Sequence, residues 1–523
     1  MTGQQQLHTA NMTVSGMPTE LNIISYNCWG LKFISKNRKE RMTEIGRRLA
    51  IVRPAPDIVG LQECWTQEDY KSIREQVRHV LPYGKFYYSG IFGGGLAILS
   101  RFPIEESSMT PYRLNGRPSA FFRGDWYVGK GVASAKIRIG PGIKDVVEVF
   151  TTHLHAPYEK EPNDSYLCHR TAQAWDIAKI LRGAADRGHL ALALGDFNMV
   201  PLSLAHKLLT HHSPVRDTWR ELHPDSSIGA AVDKAERQRA RSIPTAAFNL
   251  VENGTTCDSV LNTWRWSEEE KKRLGPGKPL VEVSSDKDDP EGRRLDYIFA
   301  GDGMRYGESG SWSVKAARVG FTERHPILKC SLSDHFSVEA TLQWAADSQK
   351  YREDVKIQHL AVESEAYLDS PTLSEDEARQ EDVDGGRGRR QSEAADMFGL
   401  QKVNTSVQYL PVETYDEILE MIRQYTSRER SQRRWRLGHF VASLFISIGC
   451  LIAVWWSPRN FVSFILMLIS TLGLSAGVID GLIGGLFVGS EIRSLKEFEW
   501  EIKNARRAAG GDELPDEHIV VDW

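Results

Sequence analysis

The sequence predicts an α/β layered sandwich over residues 21–344, followed by a hairpin of two transmembrane helices at 437–456 and 461–489. Three observations predict it. Short β-branched and aliphatic runs alternate with helical stretches through the first two-thirds of the chain, the pattern of a layered mixed fold. Several of these runs end in a short polar motif, as when a sheet presents functional side chains at its edge. Two apolar runs of about 20 residues or more then follow, each long enough to cross hydrocarbon.

Strands are expected at 21–26, 58–61, 95–100, 146–153, 190–194, 295–299 and 338–342, where aliphatic and β-branched residues dominate, and 132–139 is also strand-like. Helices are expected at 38–53, 67–80 and 166–186, the last with Gly188 as its stop signal. Residues 1–20 are polar and read as a flexible N-terminus without a secretory signal. Acidic residues crowd 363–384 and large apolar ones are scarce, so 345–402 reads as an acidic flexible linker. The segment 403–436 reads as juxtamembrane: an amphipathic helix carrying Ile418, Leu419 and Ile422, then a basic stretch from Arg428 to Arg436. Those arginines place their side of the first span in the cytosol, and a two-span hairpin returns the tail, 490–523, to the same side. Asp480 inside the second run is costly. It marks either a functional contact or close helix packing among Gly477, Gly481, Gly484 and Gly485.

The chain has 523 residues and a net charge of −4, which argues against a basic nucleic-acid binder. Its six cysteines are scattered and form no C-x-x-C pair, so neither a disulfide scaffold nor a zinc site is expected.

The polar motifs, in order, are Ser25-Tyr26-Asn27-Cys28-Trp29-Gly30, Leu61-Gln62-Glu63, Thr152-His153-Leu154-His155, Gly195-Asp196-Phe197-Asn198, Leu295-Asp296-Tyr297-Ile298 and Ser333-Asp334-His335-Phe336. Together they supply carboxylates, amides and imidazoles, the groups needed for metal-assisted cleavage of a phosphate ester. Glu63 follows an apolar run, and hard oxygen ligands of this kind suit Mg²⁺. Asn27 would add a neutral oxygen to the metal or offer its amide to phosphate. Asp196 and Asn198 share a face in an extended run and can converge on one point. Asp334 immediately precedes His335, so it is the expected partner that orients the imidazole as a general base. His153 is the second imidazole, and His155 shares its face. Gly124 to Lys130 imitates a phosphate-binding loop, but Gly131 stands where the metal-binding hydroxyl belongs. There Asp125 and Lys130 are expected to form a loop-ordering ion pair, or Lys130 to contact an anionic headgroup.

In this order the motifs resemble the endonuclease/exonuclease/phosphatase superfamily, with its DNase-I-like four-layer sandwich, over 21–344. Within it the chain is similar to the neutral sphingomyelinases, particularly the fungal inositol phosphosphingolipid phospholipases C. The signs are Asn27-Cys28-Trp29-Gly30, Thr152 to Ala156, Asp125 with Gly129-Lys130, Thr256-Cys257-Asp258, and the membrane hairpin. The family's loop carries Ser or Thr where this chain has Gly131. The resemblance implies that Glu63 binds Mg²⁺ with help from Asn27, and that His335, paired with Asp334, activates water. It also implies that Asp196, Asn198 and His153 hold the phosphate, while Asp296 supports the site. The implied reaction releases ceramide and a phosphorylated headgroup from a sphingolipid. Anionic phospholipids are the expected activators, and the endoplasmic reticulum or mitochondrial outer membrane the expected location. A deadenylase or abasic-site nuclease shares two motifs but predicts no hairpin. An inositol polyphosphate phosphatase shares the site, yet its Trp-x-Asp-Arg motif is replaced by Arg294-Leu295-Asp296-Tyr297. A membrane scaffold without activity would need the hairpin but not the site.

Overall fold

Runs without a polar residue bury both faces when they become central strands, and all seven residues of Leu190–Asp196 are buried. In the computed structural model, which describes residues 16–159, 164–305, 310–346 and 408–512, such strands build two mixed sheets. The first contains β1 (Glu20–Asn27), β2 (Ile58–Gln62), β3 (Tyr83–Tyr87), β4 (Leu96–Ser100), β11 (Gly310–Gly320) and β12 (Ser337–Ala346), in the order β11-β12-β1-β2-β4-β3. The second contains β5 (Ile104–Pro111), β6 (Gly131–Arg138), β7 (Val146–His153), β8 (Leu190–Asp196), β9 (Arg216–Asp217) and β10 (Asp296–Ala300), in the order β5-β6-β7-β8-β10-β9.

The sheets face each other across an aliphatic core that includes Ile23, Ile58, Ile98, Val149, Leu192, Leu194 and Ile298. Gln62 crosses this seam, donating from Nε2 to Thr151 Oγ1 at 2.9 Å. Outside the first sheet, α1 (Arg38–Ile51) and α2 (Gln67–Val77) cover a second core with Met42, Ile45, Leu49, Ile73 and Val77. After the short α3 (Asp125–Val128), α4 (Leu167–Asp186) and α5 (Leu204–His212) cover the second sheet. Helix, sheet, sheet and helix make the expected four layers.

Every sequence-expected strand and helix is present, with helix ends shortened at Ile51 and Val77. The strands that the composition concealed lie toward the edges. Most of β5 is exposed, and β9 has only two residues. Gly124–Lys130 is not a bare hairpin tip. Gly124 and Gly129, at φ +77° and +64°, bracket α3 and let one helical turn close between two strands.

The C-terminal part differs most from the sequence reading. The juxtamembrane segment and first apolar run form one helix, α6 (Val412–Ala453), and the second run forms α7 (Asn460–Leu482). α8 (Val488–Ala508) continues from α7 through a π-helical turn. Tyr415, Ile418, Leu419 and Ile422 of α6, with Leu495, Phe498 and Ile502 of α8, join the core over α4 and α5. Tyr415 Oη lies 2.7 Å from His212 Nε2, while Glu501 accepts from Lys179 at 2.7 Å and pairs with Arg113 at 2.9 Å. The expected tail, up to residue 512, is therefore a docked helix, because its apolar stripe matches that of α6. The expected linker from 347 onward, the N-terminal residues 1–15 and the last residues 513–523 lie outside the described residues. Asp480 is partnered by Arg436 and by His439 Nδ1 at 2.8 Å, and Gly477 sits against Ser443. The packing alternative thus has a concrete form, an interhelical ion pair between close-packed helices.

Beneath α5, Asp217 accepts two hydrogen bonds from the buried Arg294 guanidinium, both at 2.9 Å, and lies 3.0 Å from His206 Nε2. Although burial opposes its charge, Arg294 and His206 hold the carboxyl well below the usual range. Asp217→Ala leaves that guanidinium buried and unpaired, so a loss of about 3–5 kcal/mol is expected. Thermal melts of the purified variant in detergent should show this as a lowered transition.

Candidate active site

The two sheets bring their polar strand ends to one edge. Asn27 ends β1 beside Gln62 of β2, in parallel register. On the facing sheet His153 of β7 pairs with Asp196 of β8, which pairs with Asp296 of β10. Ser333 ties the loop before β12 to this edge, donating from Oγ to the Asn27 carbonyl at 2.6 Å. That bond brings His335 alongside.

Asp196 is the centre. Its Oδ2 accepts from Asn27 Nδ2 at 3.0 Å and lies 3.5 Å from His153 Nε2 and 3.8 Å from His335 Nε2. Its Oδ1 accepts from the Asn198 backbone N–H at 2.9 Å. Asn27 Nδ2 also donates to Glu63 Oε1 at 3.2 Å, so one amide bridges two carboxylates from different sheets. Asn27 Oδ1 meanwhile accepts from the Trp29 N–H at 3.0 Å. As it stands, the amide nitrogen rather than the oxygen addresses the carboxylates.

The expected pairing of His335 with Asp334 is corrected. His335 Nδ1 lies 2.7 Å from Asp296 Oδ2, and Asp334 Oδ1 instead lies 3.3 Å from Ser333 Oγ. Residues 332–334 bend before His335, so the sequence neighbour does not reach its ring, and β10 of the facing sheet supplies the partner. The second correction concerns Lys130. Its Nζ donates to the Leu154 carbonyl at 2.9 Å, and that carbonyl also accepts from Asn198 Nδ2 at 3.0 Å. Asp125 pairs with His155 at 3.5 Å instead, taking His155 out of the group around Asp196. Lys130 thus braces the loop that carries Asn198, and Asp125 braces the next turn.

Burial governs the electrostatics. It pushes Asp196 up to about 7, with His335 pulling down and Asp296 pushing up. It opposes charge on His335, but Cys257, Asp296 and Asp196 outweigh it and hold the imidazole well above its usual value. His153 is held well below that value by burial and then by Lys130, so it is neutral near pH 7. Burial, then the Asp334 charge, raises Glu63 as well.

These groups fit a hard cation. Glu63 is a desolvated carboxylate whose hydrogen-bond donors are the Asn27 amide and the Trp65 indole N–H, the latter at 3.5 Å. Asp296 Oδ1 is buried and has no hydrogen-bond partner among the described residues. Asp196, Asp296 and His335 also place donor atoms within 4.8 Å of one another, though His335 Nδ1 is already engaged by Asp296. Oxygen-dominated donors of this kind suit Mg²⁺. Sequence reasoning missed Trp65 and, although their motifs stood out, the roles of the Ser333 hydroxyl, the Leu154 carbonyl and Thr256, whose Oγ1 accepts from the Asp296 N–H at 3.3 Å. Trp65 carried a signal, two residues beyond Glu63. The other three act through contacts that sequence spacing does not encode.

Comparison with known proteins agrees with this geometry. The endonuclease/exonuclease/phosphatase family pattern matches residues 24–335. An inositol phosphosphingolipids phospholipase C of Schizosaccharomyces pombe is 36% identical over 95% of this chain and 96% of its own length. The Saccharomyces cerevisiae protein of the same name is 30% identical over 96% and 94%. Human sphingomyelin phosphodiesterase 2 is 35% identical over 38% of this chain and 46% of its own. The chain belongs to the endonuclease/exonuclease/phosphatase family. Within it, the chain falls in the branch of neutral sphingomyelinases and fungal inositol phosphosphingolipid phospholipases C.

Because Asp296 rather than Asp334 faces the imidazole, Asp296→Asn should lower the His335 pKa. Removing a negative charge disfavours the imidazolium, so the ring should lose its proton at lower pH than in the parent. Asp334→Asn should move it less. NMR titration of the labelled ring carbons measures both shifts.

Proposed function

We propose that this phosphoric diester hydrolase is a membrane-anchored, Mg²⁺-dependent phospholipase C. It would cleave inositol phosphosphingolipids, sphingomyelin or both to ceramide and a phosphorylated headgroup. The observation that carries the reading is the convergence on Asp196 of side chains from both sheets, in a chain that aligns through its C-terminal helices with the S. pombe enzyme. Two helices long and apolar enough to cross a membrane support the anchoring. The arginines before the first apolar run favour a cytosol-facing domain, on the endoplasmic reticulum or mitochondrial outer membrane.

On this reading Glu63 would hold the metal, assisted by Asn27 once its amide turns to present oxygen instead of nitrogen. When bound, the metal supplies the positive charge that offsets the phosphate oxygens. With that charge offsetting the pull of Asp296 and Asp196 toward the imidazolium, His335 would be neutral and take the proton of the attacking water at Nε2, while Asp296 fixes its tautomer from Nδ1. Asp196, within 3.8 Å of that nitrogen, aligns the water. The new bond forms between water oxygen and phosphorus as the bond to the ceramide oxygen breaks, and the departing oxygen takes a proton from solvent. Asn198 and neutral His153 offer N–H groups to the phosphate, and Lys130 keeps the Asn198 loop in place.

The direct test compares hydrolysis of inositol phosphosphingolipid, sphingomyelin, poly(A) and inositol polyphosphates by the purified chain. Sphingolipid cleavage should dominate, vanish on chelation and return with Mg²⁺. Glu63→Gln should require more metal and turn over more slowly. Activity that survives exhaustive chelation would sink the metal assignment.

Anionic phospholipid such as phosphatidylserine should stimulate the intact enzyme. The basic stretch is less available than its sequence suggests: Arg428 stacks on Tyr425 and Arg436 pairs with Asp480, whereas Arg430 and Arg434 are exposed. Each exposed arginine near the surface is worth about 1 kcal/mol of attraction. Replacing both with Ala should weaken stimulation, and so should high salt, in assays across phosphatidylserine content.

A further inference from the structure

Ile91 and Phe92 stand 70% and 63% exposed on the β3–β4 loop, with Tyr88 at 63% beside them. Large apolar side chains grouped on one loop mark a contact surface more often than scattered ones do. Here the loop's position identifies what covers it. The Ile91 and Phe92 N–H groups both donate to the Tyr127 carbonyl, at 3.0 and 3.3 Å, and Ser89 Oγ donates to the Gly129 carbonyl at 2.6 Å. The loop is thus clipped to α3 and the glycine after it. Trp126 of α3 packs on Phe487 at the end of the second apolar helix, with ring centroids 4.4 Å apart. Arg436, where the first apolar run begins, reaches the Ser119 carbonyl of the same segment at 3.4 Å. Both apolar helices therefore meet the catalytic body beside this loop.

The other end of the loop reaches the active site. Gly95, at φ +66°, lies so close to the Trp65 ring that a Cβ there would sit 3.0 Å from it. The Trp65 indole N–H faces Glu63. A second exposed apolar pair, Phe33 at 93% and Ile34 at 68%, lies in the loop after Asn27 and Gly30. The Ile91-Phe92 loop thus links the active site to the surface of the helices.

Resting on the anchored reading above, we propose that the Ile91-Phe92 loop inserts into the lipid surface beside the helical hairpin and seats the mouth of the site against the bilayer. Helices alone would hold the protein to the membrane without fixing which face meets it. The loop fixes that face.

The experiment uses the full-length chain with vesicles of phosphatidylcholine containing inositol phosphosphingolipid. A Phe92→Trp variant should show blue-shifted emission relative to detergent-free buffer controls of an 88–95 peptide, and its added fluorescence should be quenched by brominated lipid. An Ile91→Ser/Phe92→Ser double variant should still float with vesicles and keep its activity on detergent-dispersed substrate. On vesicles it should lose roughly tenfold or more, since burying one such side chain shifts partitioning by about 10- to 100-fold. Flotation with an unquenched Phe92→Trp indole, or full vesicle activity in the double variant, would overturn the insertion of this loop while leaving the anchor intact. A parent chain that fails to float would overturn the anchored reading, and the proposal with it.

Discussion

The structure depends on placing three carboxylates, two of them buried and one half-buried, at the seam between two sheets without a matching set of basic side chains. Glu63, Asp196 and Asp296 come from β-strand ends that meet only when both sheets are in register, and the Asn27 amide bridges two of them. Desolvation makes each charge costly, and the polar groups drawn around them answer that cost. His335 is pulled toward its protonated form, Lys130 is buried next to Asn198, and Ser333 pins the β12 loop to the end of β1. On the proposed function a divalent cation would be the remaining partner of such a seam, which would make metal binding and the packing of the sheets one constraint.

The legible parts of the sequence were those where one physical signal dominated. Leu190–Asp196 could be read as a central strand because no polar residue interrupts it before Gly195, and its carboxylate then had to emerge at the sheet's edge. Leu167–Asp186 could be read as a helix from its apolar spacing, and Gly188 as its end. β5 and β9 were not legible. An exposed edge strand lacks an apolar face, and two residues make no pattern. The membership of the site was readable from its motifs, but its pairings were not. Asp334 next to His335 looked like a partner because it was close along the chain, whereas Asp296 is close across the seam between the two sheets. The same error linked Asp125 to Lys130, when Asp125 meets His155 at 3.5 Å and Lys130 donates to the Leu154 carbonyl at 2.9 Å.

The C-terminal segment shows a different limit. Ile418, Leu419 and Ile422 were recognisable as one face of an amphipathic helix, but a face does not name its partner. That partner is the outer surface of α4 and α5, shared with Leu495, Phe498 and Ile502 of α8. Polar contacts then fix the docking, with Glu501 held by Lys179 and Arg113 and His212 meeting Tyr415. Helices whose other ends are apolar enough to cross a bilayer are therefore part of the catalytic domain's own helix layer.

α6 runs without a break for 42 residues, from its docked turns into the apolar run. Beyond Tyr425, Glu429 is buried against Arg117, and Arg436, one residue before the apolar run, still reaches the Ser119 carbonyl of the catalytic body. A helix of that length behaves as a strut rather than a string. On the anchored reading, with α8 alongside it, the catalytic body would keep a set height and tilt over the membrane plane and would not swing out to search solution. Substrate would then arrive by sliding within the leaflet, so the quantity that sets encounter would be lipid density per unit area rather than concentration per unit volume.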